Sequence, residues 1–103
     1  MPRTSQGVAY SLTVRAEYEN KPGMLGKITS VIGGAEGSID ALDVVSVLNG
    51  HMTRDVTVLA SDVEHGNAIL KAVRAMDGVK IINVSDPTFL LHLQGKIEVT
   101  SRV

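Results

Sequence analysis

The stretch YENKPGMLGKITSVIGGAEGSI, residues 18–39, decides the fold of this chain. A Pro-Gly pair at 22–23 turns the backbone, because proline fixes φ and glycine accepts unusual dihedral angles. Apolar residues then recur at the spacing of one helical face, and they are Met24, Leu25, Ile28, Val31, Ile32 and Ala35. Gly37 is predicted to end this helix in the left-handed conformation.

Strand patterns flank this helix on both sides. Every second residue from Val8 to Tyr18 is apolar, which is the period of a strand with one buried face. After the helix, two runs rich in β-branched residues surround Asn49-Gly50, a dipeptide that accepts the positive φ angles of a tight hairpin turn. Strands two and three are therefore predicted to be antiparallel neighbours. Asp40 and Asp43 blur the alternation of strand two, and a bulge or a ligand-facing edge would explain them.

A second helix and a fourth strand complete the pattern. Ser61 and Glu64 form an S-x-x-E capping box ahead of an apolar helical face, and VKIINVS at 79–85 predicts a short strand. The order βαββαβ, with one apolar stripe on each helix, predicts an α+β fold. This is the ferredoxin-like sandwich, a four-stranded antiparallel sheet with two helices on one face. The domain is predicted to span residues 8–86, followed by a C-terminal tail at 87–103.

Length and composition limit the possible functions. A chain of 103 residues forms one domain, and its 44% apolar and 20% charged residues are typical of a soluble globular protein. No apolar run reaches the roughly 18 residues of a membrane helix. The absence of cysteine excludes disulfides and thiolate metal sites and fits a cytoplasmic location. A net charge of -1 and few aromatic residues argue against nucleic acid and membrane partners.

The residue types that could support catalysis or metal binding are poorly arranged. The three histidines lack the spacing of zinc ligands. Asp40 and Asp43 are three residues apart, so on a strand they point to opposite faces and form no acid-base pair. The charged residues of RAEY at 15–18 and TRDVT at 53–57 are interpreted as a solvated sheet face or edge.

The segment NKPGML, residues 20–25, has two interpretations. It can be a plain turn between a strand and a helix. Alternatively, because Gly23 has no side chain, backbone N–H groups at the helix N-terminus can approach a carboxylate closely. The Asn20 amide can both donate and accept hydrogen bonds. The second interpretation suits a free amino acid as ligand.

NKPGMLGKI at 20–28, followed by GSID at 37–40, resembles the motif of ACT regulatory domains. Members of this family are βαββαβ modules that commonly pair side by side and bind amino acids at the interface. The resemblance covers about residues 8–86 and implies a ligand site of eight residues. These residues are Asn20, Pro22, Gly23, Met24, Leu25, Ile39, Asp40 and Ala41. The strand-two residues would face the ligand from the same or the neighbouring subunit. Tyr18 stands where some amino-acid-binding members carry a polar contact residue.

The tail SDPTFLLHLQGKIEVTSRV, residues 85–103, resembles the junction in bacterial NAD(P)-dependent malic enzymes that carry an N-terminal ACT domain. Gln94 replaces one glycine of that junction. The resemblance implies a regulatory module without catalytic residues or cofactors of its own. NAD(P), a divalent metal and the decarboxylation of malate would belong to a separate catalytic part.

The resemblance implies two kinds of partner. One is a second copy of the chain, in a homodimer or a higher homo-oligomer. The other is a small-molecule effector of the amino-acid class. A purely structural dimerisation module without ligand is the alternative, and a stand-alone enzyme would need an acid-base site that the sequence does not offer.

Overall fold

The computed structural model describes residues 10–86. The elements are β1 (Tyr10–Glu19), α1 (Met24–Gly34), β2 (Ser38–Leu48), β3 (His51–Ala60), α2 (Val63–Arg74) and β4 (Val79–Ser85). This order confirms the predicted βαββαβ arrangement. The predicted start of the first strand at Val8 and the predicted tail at 87–103 lie outside the described residues.

The four strands form one antiparallel sheet in the order β2-β3-β1-β4, with both helices on one face. The ferredoxin-like fold class is therefore confirmed. β2 and β4 are the edge strands, while β3 and β1 are paired on both sides. Within residues 10–86 neither helix is long and apolar enough to cross a membrane.

The core lies between the helices and one face of the sheet. Alternate residues of β1 are buried from Tyr10 to Tyr18, as the period of two predicted. The largest fully buried side chains are Leu12, Ile28, Ile32, Val56, Val58, Ile69 and Leu70. Burial of each large aliphatic side chain stabilises the fold by about 1.5–3 kcal/mol.

The β2–β3 hairpin confirms the predicted turn. Asn49 and Gly50 have φ angles of 52° and 78°, as a tight turn between twisted strands requires. The pairing register of β2 shifts between Ile39 and Ala41 and again between Val44 and Ser46. Asp40 therefore lies in an irregularity of the strand, so a bulge explains the blurred alternation at this position.

The C-terminus of α1 differs from the prediction. Glu36, at φ 66°, adopts the left-handed conformation that was expected at Gly37. The N–H of Gly37 donates to the Ile32 carbonyl at 2.9 Å, and the N–H of Glu36 donates to the Gly33 carbonyl at 2.9 Å. Glycine is needed at 37 for space, because a Cβ there would lie 2.8 Å from Ile69 Cδ1 and 2.9 Å from Ile32 Cγ2.

The predicted capping box at the start of α2 is wrong. Asp62 is the N-cap, and its Oδ1 accepts a hydrogen bond from the His65 N–H at 2.8 Å. Ser61 instead bonds the His65 ring, with its backbone N–H donating to Nδ1 at 2.9 Å. Both Ser61 and Asp62 are residue types that cap helices, so the sequence pattern alone favoured the wrong one.

Candidate functional site

The N-terminus of α1 has backbone donors without partners. Gly23 precedes the helix at φ 90°, and no side chain caps the helix. The N–H groups of Met24 and Lys27 donate to the carbonyls of Lys21 and Gly23. Within residues 10–86, the N–H groups of Leu25 and Gly26 have no such partner, and the first turn contains no acidic residue. These N–H groups, at the positive end of the helix dipole, can donate hydrogen bonds to an anion.

The loop that leads into α1 is mostly exposed, and a backbone hydrogen bond anchors it to the rest of the domain. Asn20, Pro22 and Gly23 are exposed, whereas Met24 is buried and Leu25 is half-buried. The Asn20 N–H donates to the carbonyl of Gly50 at 2.8 Å, which ties the loop to the β2–β3 turn. The Asn20 side chain is exposed and precedes the unpartnered Leu25 N–H by five residues in the sequence.

The other predicted ligand residues lie at the opposite end of the sheet. Tyr18, which precedes the loop, pairs with Met52, and Met52 pairs with Val47 of β2. Ile39 pairs with Val58, which pairs with Leu12 near the start of β1. Because Leu12 and Tyr18 are six residues apart in β1, the two ends are separated by about 20 Å. One chain therefore does not bring residues 39–41 to the loop at 20–25.

The edge strand β2 carries a large exposed apolar surface. Leu42, Val44, Val45, Val47 and Leu48 are all exposed, by 37% to 65%. Among the described residues, the only other exposed large hydrophobic side chain is Ile82, on the opposite edge strand β4. An apolar edge with unpaired backbone groups is a surface for pairing with another strand.

Arg54 is a candidate site residue that the sequence interpretation missed. It shares the core-facing side of β3 with the buried Met52 and Val56, rather than the solvated face that was predicted. Its Nε donates to the Tyr18 hydroxyl at 3.0 Å, and its Nη2 lies 3.9 Å from the Met52 sulfur. The sequence does contain a signal for this residue, because in MTRDV at 52–56 the charged Arg54 stands at an alternate position between the apolar Met52 and Val56.

The opposite face of the sheet fits the prediction of a solvated surface. Arg15 donates to both carboxylate oxygens of Asp55, from Nε at 2.9 Å and from Nη2 at 3.0 Å. The hydrogen bond to Asp55 raises the pKa of Arg15 above its ordinary value; burial opposes this shift and the Asp55 charge adds to it. The hydroxyl groups of Thr13 and Thr57 lie 3.0 Å apart on neighbouring strands. This face is polar, and Arg15 and Asp55 form an ion pair on it.

No arrangement for metal binding is present in the described part of the chain. Among residues 10–86, no three histidine or carboxylate side chains lie close enough together to hold an ion. His92 lies outside the described residues. Three features of the described residues could bind a ligand or a partner, and they are the N-terminus of α1, Arg54 and the β2 edge.

Comparison with known families identifies the fold. Residues 6–83 match the family model of the ACT domain. The chain belongs to the ACT domain family. The predicted motif at 20–28 and 37–40 lies within the matched residues, so the resemblance that it indicated is confirmed.

Two malic enzymes are similar to this ACT domain in sequence. The NAD-dependent malic enzyme of Geobacillus stearothermophilus is 41% identical over 97 residues, which cover 94% of the chain and 20% of that enzyme. NAD-dependent malic enzyme 1 of Bacillus subtilis (strain 168) is 30% identical over 92 residues, which cover 88% of the chain and 21% of that enzyme. The chain thus spans about a fifth of the length of these relatives.

Solved structures share the fold at low sequence identity. The ACT domain from the GTP pyrophosphokinase of Chlorobium tepidum superposes with a TM-score of 0.58 at 20% identity, covering 76% of this chain and 97% of that one. A homoserine dehydrogenase from Thiobacillus denitrificans gives a TM-score of 0.57 at 21% identity, covering 80% of this chain and 18% of that one. These likenesses support the architecture alone.

Proposed function

We propose that this ACT domain is the effector-binding and dimerisation module of an NAD(P)-dependent malic enzyme, and that it controls oxidative decarboxylation of malate in a separate catalytic part. The similarity to two malic enzymes over most of the chain supports the assignment. In this proposal the module works in the cytoplasm, binds an amino acid and holds neither NAD(P) nor the divalent metal itself.

The observation that carries the proposal is the separation of the two halves of the predicted ligand site. The helix N-terminus lies at one end of the sheet, and residues 39–41 lie at the other. A single chain offers half a site at each end. A second copy in the opposite direction would complete both halves.

An antiparallel pairing of two β2 strands provides that arrangement. If the two-fold axis passes near Asp43, residues 39–41 of one chain lie opposite residues 45–47 of the partner subunit. Val47 lies at the end of the sheet that carries Tyr18 and the loop. The pairing therefore brings residues 39–41 of each copy toward the loop at 20–25 of the other, and it covers the exposed apolar edge.

The ligand chemistry follows from the groups at the proposed interface between the two β2 strands, called the seam below. The free N–H groups of Leu25 and Gly26 would bind the α-carboxylate, and the Asn20 amide would fix its orientation. Asp40 of the partner subunit would face the α-amine. A ligand held by both copies favours the arrangement that completes the site, because a ligand shifts an equilibrium only through unequal affinity for its states.

The interface is tested by sedimentation of two matched variants. Wild type is expected to be dimeric at tens of micromolar, and Val45→Lys on β2 is expected to be monomeric, because it places a charge in the seam. Ile82→Lys adds the same charge to an exposed hydrophobic position on β4 and should remain dimeric. A monomeric wild type would overturn the interface and the shared pocket with it.

Isothermal titration against the twenty amino acids tests the ligand. Binding to wild type and weaker binding to Val45→Lys are expected. A dimer that binds none of them would support the alternative, a purely structural dimerisation module. Reduction of NAD or NADP by residues 1–103 with malate, above a mock preparation, would contradict a purely regulatory role.

A further inference from the structure

Arg54 occupies a position that ordinarily holds an apolar residue. It alternates with Met52 and Val56 on the core-facing side of β3, and it is half-buried. Removing a guanidinium from water costs free energy unless other groups replace the lost hydrogen bonds. An arginine at this position therefore needs partners, and the described part of the chain supplies few of them.

Residues 10–86 supply one good acceptor to Arg54. The Tyr18 hydroxyl accepts from Nε at 3.0 Å, and the Met52 sulfur, a weak acceptor, lies 3.9 Å from Nη2. No carboxylate forms an ion pair with Arg54 anywhere in residues 10–86. Arg15, on the other face of the sheet, has a bidentate carboxylate partner. Both N–H groups of Nη1 on Arg54 thus have no acceptor within residues 10–86, and the Tyr18 hydroxyl holds the guanidinium in place.

Arg54 lies between the centre of the sheet and the end that carries the candidate ligand loop, because it pairs with Ala16, two residues before Tyr18 in β1. Its guanidinium reaches toward that end, where Nε donates to the Tyr18 hydroxyl. Tyr18 is two residues before Asn20, and the Asn20 N–H donates to Gly50 in the turn that precedes β3. Tyr18 and Met52 are cross-strand partners in β1 and β3, and both belong, with Met24, to the hydrophobic core of the domain. Arg54 also pairs with Val44 of the edge strand β2, so it lies one strand away from the exposed edge of the sheet. A ligand between the loop at 20–25 and Arg54 would contact a positioned cation in addition to the N–H groups at the start of α1.

We propose that Arg54 binds a second acidic group of the effector, and that the effector is a dicarboxylate. This inference rests on the proposed function, because it adds a subsite to the same pocket. One carboxylate would take the N–H groups at the start of α1, and the other would accept from the Nη1 side of Arg54 in a charge-assisted hydrogen bond. Acidic amino acids and simple dicarboxylic acids share this chemistry.

The test compares ligands on wild type and on four variants by isothermal titration. The probes are aspartate and glutamate, then succinate, and then the neutral amino acids alanine and glutamine. Wild type is expected to bind at least one dicarboxylate at least tenfold more tightly than the neutral pair, the scale of one charge-assisted hydrogen bond. Binding of aspartate or glutamate without binding of succinate would indicate that the effector is an acidic amino acid. Binding of succinate as well would indicate that the site accepts dicarboxylic acids in general.

The variants separate Arg54 from general charge effects. Arg54→Gln should lose about tenfold or more of the dicarboxylate affinity and leave neutral ligands unchanged, whereas Arg54→Lys should retain part of it. Tyr18→Phe should lose dicarboxylate affinity by a smaller factor, because the Arg54 guanidinium is still present but the Tyr18 hydroxyl no longer holds it in place. Arg15→Gln makes the same change of charge on the opposite face and should bind like wild type. Circular dichroism melts establish that each variant is folded.

Three results would overturn the inference. Neutral amino acids that bind as tightly as the dicarboxylates would leave the proposed function standing and remove the Arg54 subsite. If Arg54→Gln is monomeric and its ratio of dicarboxylate to neutral affinity is unchanged, Arg54 forms an ion pair with a carboxylate of the partner subunit and does not bind the ligand. Absence of binding by any probe at millimolar concentration would overturn both the subsite and the amino-acid effector.

Discussion

His65 donates a hydrogen bond from Nε2 to the backbone carbonyl of Ala35 at 2.8 Å and so joins the start of α2 to the end of α1. The Ser61 N–H donates to Nδ1 of the same ring. Because a backbone N–H only donates, Nδ1 is the acceptor and the ring proton is on Nε2. The side chain is buried. His65 therefore holds both helices and the end of β3 together, and its role is structural.

Replacement of His65 by alanine should lower the free energy of unfolding by about 2–3 kcal/mol. The change removes the hydrogen bonds of the ring to the Ala35 carbonyl and to the Ser61 N–H and hydroxyl, and it leaves half-buried backbone groups of both residues without these partners. His51→Ala, at an exposed position of the hairpin, should stay within about 0.5 kcal/mol of wild type. Urea unfolding followed by circular dichroism measures both, and equal midpoints for the two variants would contradict the structural role of His65.

Two glycines near the end of α1 should respond in opposite directions to alanine. At Gly37 a new Cβ would lie 2.8 Å from Ile69 Cδ1 and 3.1 Å from Val58 Cγ1, so overpacking should destabilise the domain by about 1–3 kcal/mol. At Gly33, inside the helix, a Cβ meets nothing within 4 Å. Gly33→Ala should therefore stabilise by about 0.5–1 kcal/mol, because alanine is the better helix former. Thermal melts that shift in the same direction would contradict this explanation.

The local pattern of the sequence predicted the elements well and their ends less well. Period-two and helical spacings are local, so the order of the elements and the Asn49-Gly50 turn could be predicted. The end of α1 could not, because Glu36 and Gly37 can each follow a helix and only the packing of Ile69 over residue 37 requires glycine there. At the start of α2 the backbone geometry, and not the residue type, selects Asp62 as the cap.

The candidate site depends on contacts that no local pattern contains. The resemblance to the family motif predicts that residues of the loop at 20–25 and residues 39–41 share one ligand site, yet the sheet register puts them at opposite ends of the chain's own structure. Their meeting is a property of the proposed dimer. Arg54 has a local signal, a charge at an apolar position, but only the fold shows Tyr18 beside it and no carboxylate partner within residues 10–86.

Gly23 should be the least replaceable of the exposed residues of the loop at 20–25 for stability. Its φ of 90° is strained for any residue with a Cβ, and most for a β-branched one, although the space around it is open. Gly23→Val should cost about 1–3 kcal/mol of backbone strain. Lys21→Ala, at an exposed neighbour, should be close to neutral. Equal melting temperatures for the two variants would remove the special role of Gly23.

The ion pair between Arg15 and Asp55 should show a small coupling free energy that does not change between about pH 6 and pH 9. The geometry is bidentate, but the Arg15 side chain is 40% exposed, so solvent screening limits the coupling to about 0.5–1 kcal/mol. A double-mutant cycle of Arg15→Gln and Asp55→Asn, measured by urea unfolding, gives this value. The pair of Lys21 and Glu19, 3.6 Å apart and more exposed on both sides, is the matched control and should give a coupling near zero.

The pH dependence of that coupling follows from the sign of the Arg15 shift. The hydrogen bond to Asp55 raises the pKa of Arg15 in the folded chain. The stabilisation is therefore fully present below the pKa of the unfolded chain and is lost only as the pH rises through the higher folded pKa, in strongly alkaline solution. Cycles at about pH 6 and about pH 9 should thus agree within error. A coupling that falls by half across this interval would show that a group other than the Arg15 guanidinium controls the pair.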